Sequence, residues 1–213
     1  MKAGKTNKFV RPFCRIRKKK TSGTVNIPVP MPDSILSPLK RFCCFVAVEN
    51  KDNVSFGSGV LTEIGLITAH HMFQGIEDPK EVWAAFYVDK NNWTIVELGE
   101  ILLENKDNDI IVLSKPVLSS HFTSAKLGWK NKDALFIPTK LKAFGCPLGL
   151  FGKVWKPTFV GMSDKKIYTK GFVCQGISGG GIFSNEGGKW YLWAIHSGYY
   201  THSNTLVSSI VKF

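Results

Sequence analysis

The chain has 213 residues, 44% of them hydrophobic, and 28 Lys plus Arg against 16 Asp plus Glu. That length and apolar content exclude a wholly disordered protein and suit one domain or two small lobes. The net charge of +12 raises an anionic partner such as nucleic acid or an acidic membrane surface, but where the charge sits decides what it means.

Residues 1–20 hold nine basic side chains (Lys2, Lys5, Lys8, Arg11, Arg15, Arg17, Lys18, Lys19, Lys20) and no acid, leaving 19 basic against 16 acidic in the rest. A basic arm of this kind can neutralise several phosphates, so RNA contact through residues 1–20 is one expectation and a solvated linker is the other. Next comes Ile27-Pro28-Val29-Pro30-Met31-Pro32 and then Pro38. Prolines so spaced prevent helix and favour an extended tether. Residues 1–38 are therefore read as a flexible arm outside the fold.

From residue 41 the chain runs in short apolar or alternating segments rich in Val, Ile, Phe, Trp and Thr, cut by Gly, Asn, Asp and Pro. This pattern predicts strands at 41–49, 53–61, 64–68, 82–89, 93–103, 109–114, 135–144, 153–160, 166–174, 181–184, 189–197 and 205–212. A dozen strands over ~170 residues implies an all-β sandwich or two small barrels. Pro116 to Gly128 reads as the crossing between halves, and His70 to Gln74 as a helical turn.

Five cysteines, at 14, 43, 44, 146 and 174, form no disulfide framework, so an intracellular, reducing compartment is expected. The longest apolar run, Phe42 to Val48, is far short of the ~20 residues of a membrane helix. No C-x-x-C or H-x-x-x-H spacing is present, and neither metal nor cofactor is expected. Cys174 reads as a core residue, His121 and His202 as loop residues, and the six Trp as packing. Trp129, Trp155 and Trp190 each adjoin a lysine and are candidates for added RNA contact.

Three segments carry chemistry. Gly176-Ile177-Ser178-Gly179-Gly180-Gly181 puts a serine in a glycine-rich turn before the apolar pair Ile182-Phe183. Acyl transfer needs such an exposed hydroxyl, with backbone N–H groups converging where a carbonyl oxygen becomes an anion. Leu66-Ile67-Thr68-Ala69-His70-His71, just after Gly57-Ser58-Gly59, brings imidazole to a strand end, and a serine nucleophile requires such a base. Asp107-Asn108-Asp109-Ile110-Ile111-Val112-Leu113 places a carboxylate at the mouth of an apolar strand, where it can fix an imidazole tautomer. Each piece alone also fits a bland turn.

Together, over residues 41 to 213, they resemble the chymotrypsin-like serine proteinases, whose chain order is His, Asp, Ser. The matching motifs are Thr68-Ala69-x-His71, Asp109-Ile110-x-Val112-Leu113 and Gly176-x-Ser178-Gly179-Gly180, with spacings of 38 and 69 residues. The resemblance implies two six-stranded antiparallel β-barrels with the active site in the cleft between them. Residues 39–118 would form the first barrel, with His71 and Asp109, and 119–213 the second, with Ser178 and the specificity pocket. It implies His71 as general base, Asp109 as its orienting carboxylate, Ser178 as nucleophile, and the N–H groups of Gly176 and Ser178 as oxyanion hole. His70 and Asp107 are close rivals. His71 is preferred because one residue separates it from Ala69, and Asp109 because it abuts the apolar strand.

Met72 and Ile177 stand where the secreted digestive branch has a disulfide cysteine and an aspartate. The free form is more similar to proteinases of positive-strand RNA viruses, such as those of sobemoviruses and astroviruses. With no peptide-binding domain before the chain stops at Phe213, that type is favoured over quality-control proteinases. In the family the strand after the nucleophile lines the specificity pocket and viral members commonly place a histidine there, which maps to His196 in Trp193-Ala194-Ile195-His196-Ser197-Gly198-Tyr199, here 18 residues after Ser178. The resemblance then implies that His196, Ser197 and Gly198 bind substrate with Gln or Glu before the scissile bond. Val173 departs from the Thr that many such members carry five residues before the nucleophile. The implied activity is a serine endopeptidase processing a viral polyprotein, its own precursor included, in host-cell cytoplasm. Two other readings compete: a cellular quality-control proteinase, and a silent two-barrel module holding RNA by its arm.

Overall fold

The computed structural model describes residues 13–17, 24–28, 30–32, 37–49, 54–74, 81–89, 92–129, 140–200 and 203–212, with backbone only for the first two segments. Most of the basic arm, the 135–139 part of one predicted strand, and His202 lie outside the described residues.

Within the predicted arm, Phe13–Arg17 (β1) and Thr24–Pro28 (β2) pair as an antiparallel hairpin. The proline spacing gave no sign of that pairing, which ends at Pro28, where a missing N–H does no harm. The tether then meets the fold: Met31 N–H donates to the Phe151 carbonyl at 2.7 Å, and Pro30 bridges Phe151 in parallel.

The first sheet contains Cys43–Glu49 (β3), Val54–Leu61 (β4), Leu66–Ala69 (β5), Glu81–Asp89 (β6), Asn92–Glu97 (β7), Ile101–Asn105 (β8) and Ile110–Leu113 (β9). All its pairs are antiparallel, in the order β7-β6-β3-β4-β5-β9-β8. The predicted strand 93–103 is thus two strands, broken at Leu98 to Glu100. There the backbone packs so close to Ser114 that a Cβ on Gly99 would lie 2.4 Å from the Ser114 hydroxyl oxygen.

The second sheet contains Lys126–Leu127 (β10), Leu141–Gly145 (β11), Lys153–Trp155 (β12), Thr158–Met162 (β13), Lys166–Lys170 (β14), Gly181–Glu186 (β15), Lys189–Tyr200 (β16) and Thr205–Ile210 (β17). Its order is β12-β11-β15-β16-β17-β14-β13, with β10 alongside β16 in parallel. The sheets therefore hold seven and eight strands. Pro157, which cannot donate to a ladder, splits the predicted 153–160 strand into β12 and β13.

β3 is buried on both faces except at Glu49, because one core continues from the first sheet into the second. Phe42 packs on Phe183 with ring centroids 5.5 Å apart, and the Cys146 thiol reaches the Cys44 carbonyl. Each such fully buried side chain contributes roughly 1.5–3 kcal/mol by leaving water. A second cluster, centred on Trp193, fills the interior between β15, β16 and β17. Between the sheets the chain crosses without strand structure from Ser114 to Ser124, then bridges Thr62 at Ala125 and enters β10. The ends of β5 and β9 and the loop before β15 converge where the two sheets meet.

Candidate active site

β5 delivers the chain into a 3₁₀ turn, His70–Phe73, as the sequence suggests. Three residues per turn send consecutive side chains about 120° apart, so His70 and His71 face different partners. On the neighbouring strand β9, the residue just before Ile110 is Asp109, held at φ 58. This left-handed conformation, uncommon for a non-glycine residue, turns the carboxylate back toward β5. Asp109 Oδ1 accepts the His71 backbone N–H at 2.7 Å and Oδ2 lies 2.7 Å from His71 Nδ1. A carboxylate only accepts, so Nδ1 carries the proton and Nε2 presents its lone pair. His71 Nε2 lies 3.0 Å from Ser178 Oγ.

The chain therefore brings His71, Asp109 and Ser178 into one hydrogen-bonded line. Asp107, the rival carboxylate, is exposed on the β8–β9 loop. His70, the rival imidazole, is buried and bonded to Glu104.

The Ser178 loop is shaped by contacts that only glycine allows. Gly176 has φ +87, and a Cβ there would lie 2.5 Å from the Cys146 carbonyl oxygen. Gly179 has φ +79 and backs onto the Ser58 carbonyl, which a Cβ would approach to 2.1 Å. Among the described residues, the N–H groups of Gly176 and Ser178 donate to no protein acceptor. The residues around them are tied: Gly179 N–H to the His196 carbonyl at 2.8 Å and Gly180 N–H to the Ile177 carbonyl at 2.9 Å. Two free donors flanking a serine hydroxyl are what a carbonyl oxygen becoming an anion requires.

Ser58, quoted in the sequence only as part of a glycine pair, is central to this loop. Its N–H donates to the Ser178 carbonyl at 2.7 Å, its hydroxyl donates to the Gly176 carbonyl at 3.1 Å, and that hydroxyl accepts the Cys146 N–H at 2.8 Å. Nothing in the pattern Gly-Ser-Gly distinguishes such a serine from a turn residue.

No family model matches the chain, and no curated protein matches it. Solved structures do. A serine endoprotease from Yersinia pestis superposes with a TM-score of 0.63 at 18% identity, over 84% of this chain and 63% of that one. A thermostable serine protease, AL20, from an extremophilic microorganism superposes with a TM-score of 0.59 at 14% identity, over 80% and 91%. The fold is that of the two-barrel, chymotrypsin-like serine proteases. This chain spans less than two thirds of the Yersinia protein's length, and likeness at this identity speaks to fold.

On that fold, His196 sits in β16 beside the Ser178 loop, fully buried. Its Nδ1 lies 3.0 Å from Ser208 Oγ on β17, and its ring stacks on Trp155, centroids 5.3 Å apart and 24° from parallel. Burial pushes the imidazole down to about 3, opposed in part by the Phe144 backbone, so the ring is neutral at physiological pH. Its Nε2 is buried with no hydrogen-bond partner among the described residues, as are Trp155 Nε1 and, on β14, Thr169 Oγ1. The sequence marks Trp155 only as a candidate RNA contact and Thr169 not at all, because nothing local links β12, β14 and β16. Ser197 and Gly198 follow His196 at a β-bulge opposite Val207. The Ser197 hydroxyl donates to the Val207 carbonyl at 3.3 Å, and a Cβ on Gly198 would meet open space.

Cys43, Cys44, Cys146 and Cys174 are free thiols. Burial raises Cys174, which is half-buried, away from the reactive thiolate form. Among the described residues no group of His, Cys, Asp and Glu could hold a metal ion, and no helix is long and apolar enough to cross a membrane.

Proposed function

We propose that the chain is a serine endopeptidase working through Ser178, His71 and Asp109. The carrying observation is the continuous line from Asp109 Oδ2 to His71 Nδ1 and from Nε2 to Ser178 Oγ, at 2.7 and 3.0 Å. Ser178 Oγ attacks the peptide carbonyl carbon and gives its proton to His71 Nε2, and the carbonyl oxygen, now an anion, is held by the N–H groups of Gly176 and Ser178. His71 then protonates the leaving amine, leaving an acyl-enzyme. Water enters by the same route with His71 again as base, releasing the acid and restoring Ser178. Asp109 stays ionised and holds the imidazolium formed in each step.

Specificity for Gln or Glu before the scissile bond is supported by the unpartnered Nε2 of His196. With Ser208 donating to Nδ1, a neutral His196 offers Nε2–H to a side-chain carbonyl or carboxylate oxygen. Trp155 Nε1–H and the Thr169 hydroxyl are further buried groups without partners, and such groups cost about 1–3 kcal/mol each until satisfied. A side-chain amide or carboxylate reaching them would recover that cost.

Ser178→Ala should abolish labelling by a fluorophosphonate probe and lower peptide hydrolysis by about 10⁴–10⁶-fold while the fold persists. Retained hydrolysis would overturn the triad. The setting implied by the viral resemblance is cleavage of a polyprotein containing this chain. A housekeeping endopeptidase is the second reading, favoured by the bacterial origin of the Yersinia neighbour. Digestion of a denatured protein mixture, with products sequenced by mass spectrometry, separates them: cuts confined to Gln and Glu support the first, and cuts after varied residues support the second.

A further inference from the structure

Beside Asp109 stands a cation with no part in the proton relay. Lys166 opens β14 in the second sheet, after a turn in which Ser163 N–H donates to the Lys166 carbonyl and Ser163 Oγ accepts the Lys166 N–H. Its half-buried side chain runs to the meeting line of the two sheets. There Nζ donates to Ser209 Oγ at 2.7 Å and comes within reach of Ser197 Oγ at 3.5 Å and of the Asn108 carbonyl at 3.4 Å. The first two partners belong to the second sheet, the third to the first.

Two features of the Asp109 corner call for such a contact. Asp109 carries the left-handed φ of 58, a conformation that persists only when its surroundings hold it. Both Asp109 carboxylate oxygens are engaged by His71, and the nearby Ser197 hydroxyl donates elsewhere, to Val207. Lys166 is the second-sheet side chain that bonds to this corner.

The charges acting on Lys166 agree. Burial disfavours its ammonium, the field of Asp109 favours it, and Lys165 in the preceding turn adds a smaller opposing effect. The Asp109 carboxylate therefore lies within electrostatic range of the ammonium, although the two make no direct ion pair. Among the described residues, the titratable side chain bonded to the Asp109 carboxylate is His71.

We propose that Lys166 is a positioning residue of the triad, tying the Asn108–Asp109 corner of the first sheet to Ser197 and Ser209 of the second and setting a fixed positive charge beside the Asp109 carboxylate. This rests on the triad reading above. The tie holds the His–Asp half of the site in register with the serine half, which lies on the other sheet. The charge opposes proton uptake by the His71–Asp109 pair, so it extends the active range to lower pH. A lysine that only filled space would do the first without the second.

The experiment is the rate of Ser178 labelling by a fluorophosphonate across pH, for the unsubstituted protein and for Lys166→Arg, Lys166→Gln and Lys166→Met. Labelling needs no knowledge of the peptide substrate. Lys166→Gln and Lys166→Met should move the acid limb up by about half a pH unit to one unit, the effect of one charge at partly solvated range. Lys166→Arg should keep it in place. Lys166→Met should also lower the plateau rate by about three- to tenfold. An unmoved acid limb in folded Lys166→Gln overturns the proposal, and so does an equal shift in Lys166→Arg. Absence of labelling in the unsubstituted protein at every pH would overturn the triad reading instead. In that event, NMR titration of the His71 ring, with and without Lys166→Gln, still tests the charge, since it needs no activity.

Discussion

His70 Nε2 lies 2.6 Å from Glu104 Oε1 on β8, so the two adjacent histidines are held by two different carboxylates. Glu104 is the acceptor, and its carboxyl is held below the ordinary 4.5, first by the hydrogen bond from His70, against an opposing desolvation, with Lys106 at 3.5 Å adding to the lowering. His71→Ala should therefore abolish Ser178 labelling, whereas His70→Ala should leave it within about tenfold and lower stability only modestly, since the Glu104 end of the lost bond is exposed to solvent. Glu104 is depressed in the fold, so its stabilising effect is present above the unfolded value and is lost as pH falls through the folded one. Urea unfolding of Glu104→Gln should accordingly lose less stability below pH 4.5 than the unsubstituted protein. Equal loss would show that the pair does not act on folding.

Ser58 on β4 makes two hydrogen bonds to the nucleophile loop, one of them through its hydroxyl, and that hydroxyl also accepts the Cys146 N–H just after β11. Ser58→Ala would leave the Cys146 N–H without an acceptor and the Gly176 carbonyl without that donor, in a place with no access to water. The expected result is a labelling rate lower by about 10–100-fold with the fold retained, since the affected carbonyl orients the following peptide of the oxyanion loop. A rate unchanged beside a lowered melting temperature would make Ser58 structural only.

Gly176→Ala tests the loop from its other side. The added methyl would press on the Cys146 carbonyl, and φ +87 is strained for alanine whatever the space. Relief requires rotating the 175–176 peptide, which takes the Gly176 N–H out of the hole. kcat should fall by about 10²–10³-fold, the usual cost of one oxyanion donor, with KM little changed. A rise in KM at constant kcat would place Gly176 in substrate binding instead.

How far the sequence reached depended on how local each signal was. Strand runs such as 43–49 and 110–113 are legible because apolar periodicity is a property of a few consecutive residues. The breaks at Leu98 to Glu100 and at Pro157 are less so: one depends on Ser114, sixteen residues from Leu98. His71, Asp109 and Ser178 sit in motifs with their own turn chemistry, so each could be named, and the choice over His70 and Asp107 rested on single-residue spacing. Ser58, Glu104, Trp155 and Lys166 act through partners 31 or more residues away. Nothing local marks a serine, glutamate, tryptophan or lysine as holding a distant loop.

His196 gives the sharpest pH test. Its ring, ordinarily near 6.5, is pushed down to about 3 by burial, with the Phe144 backbone opposing. The unfolded chain takes up a proton near 6.5 and the folded chain does not until about 3, so acid favours unfolding across that window. At ~1.4 kcal/mol per unit, the loss from this group between pH 7 and pH 4.5 should be about 2–3 kcal/mol. His196→Gln cannot titrate, and whatever its stability at pH 7, its urea midpoint should decline less steeply over the same interval. An equal slope would mean that the ring is protonated or solvated in the folded protein. That outcome would also remove the basis for its pairing with a substrate side chain, because a neutral imidazole bonded to Ser208 is what leaves Nε2–H free to donate. With a matched pair of peptides, His196→Gln should lower kcat/KM by about 10²-fold or more for Gln or Glu before the scissile bond, and far less for an apolar residue there.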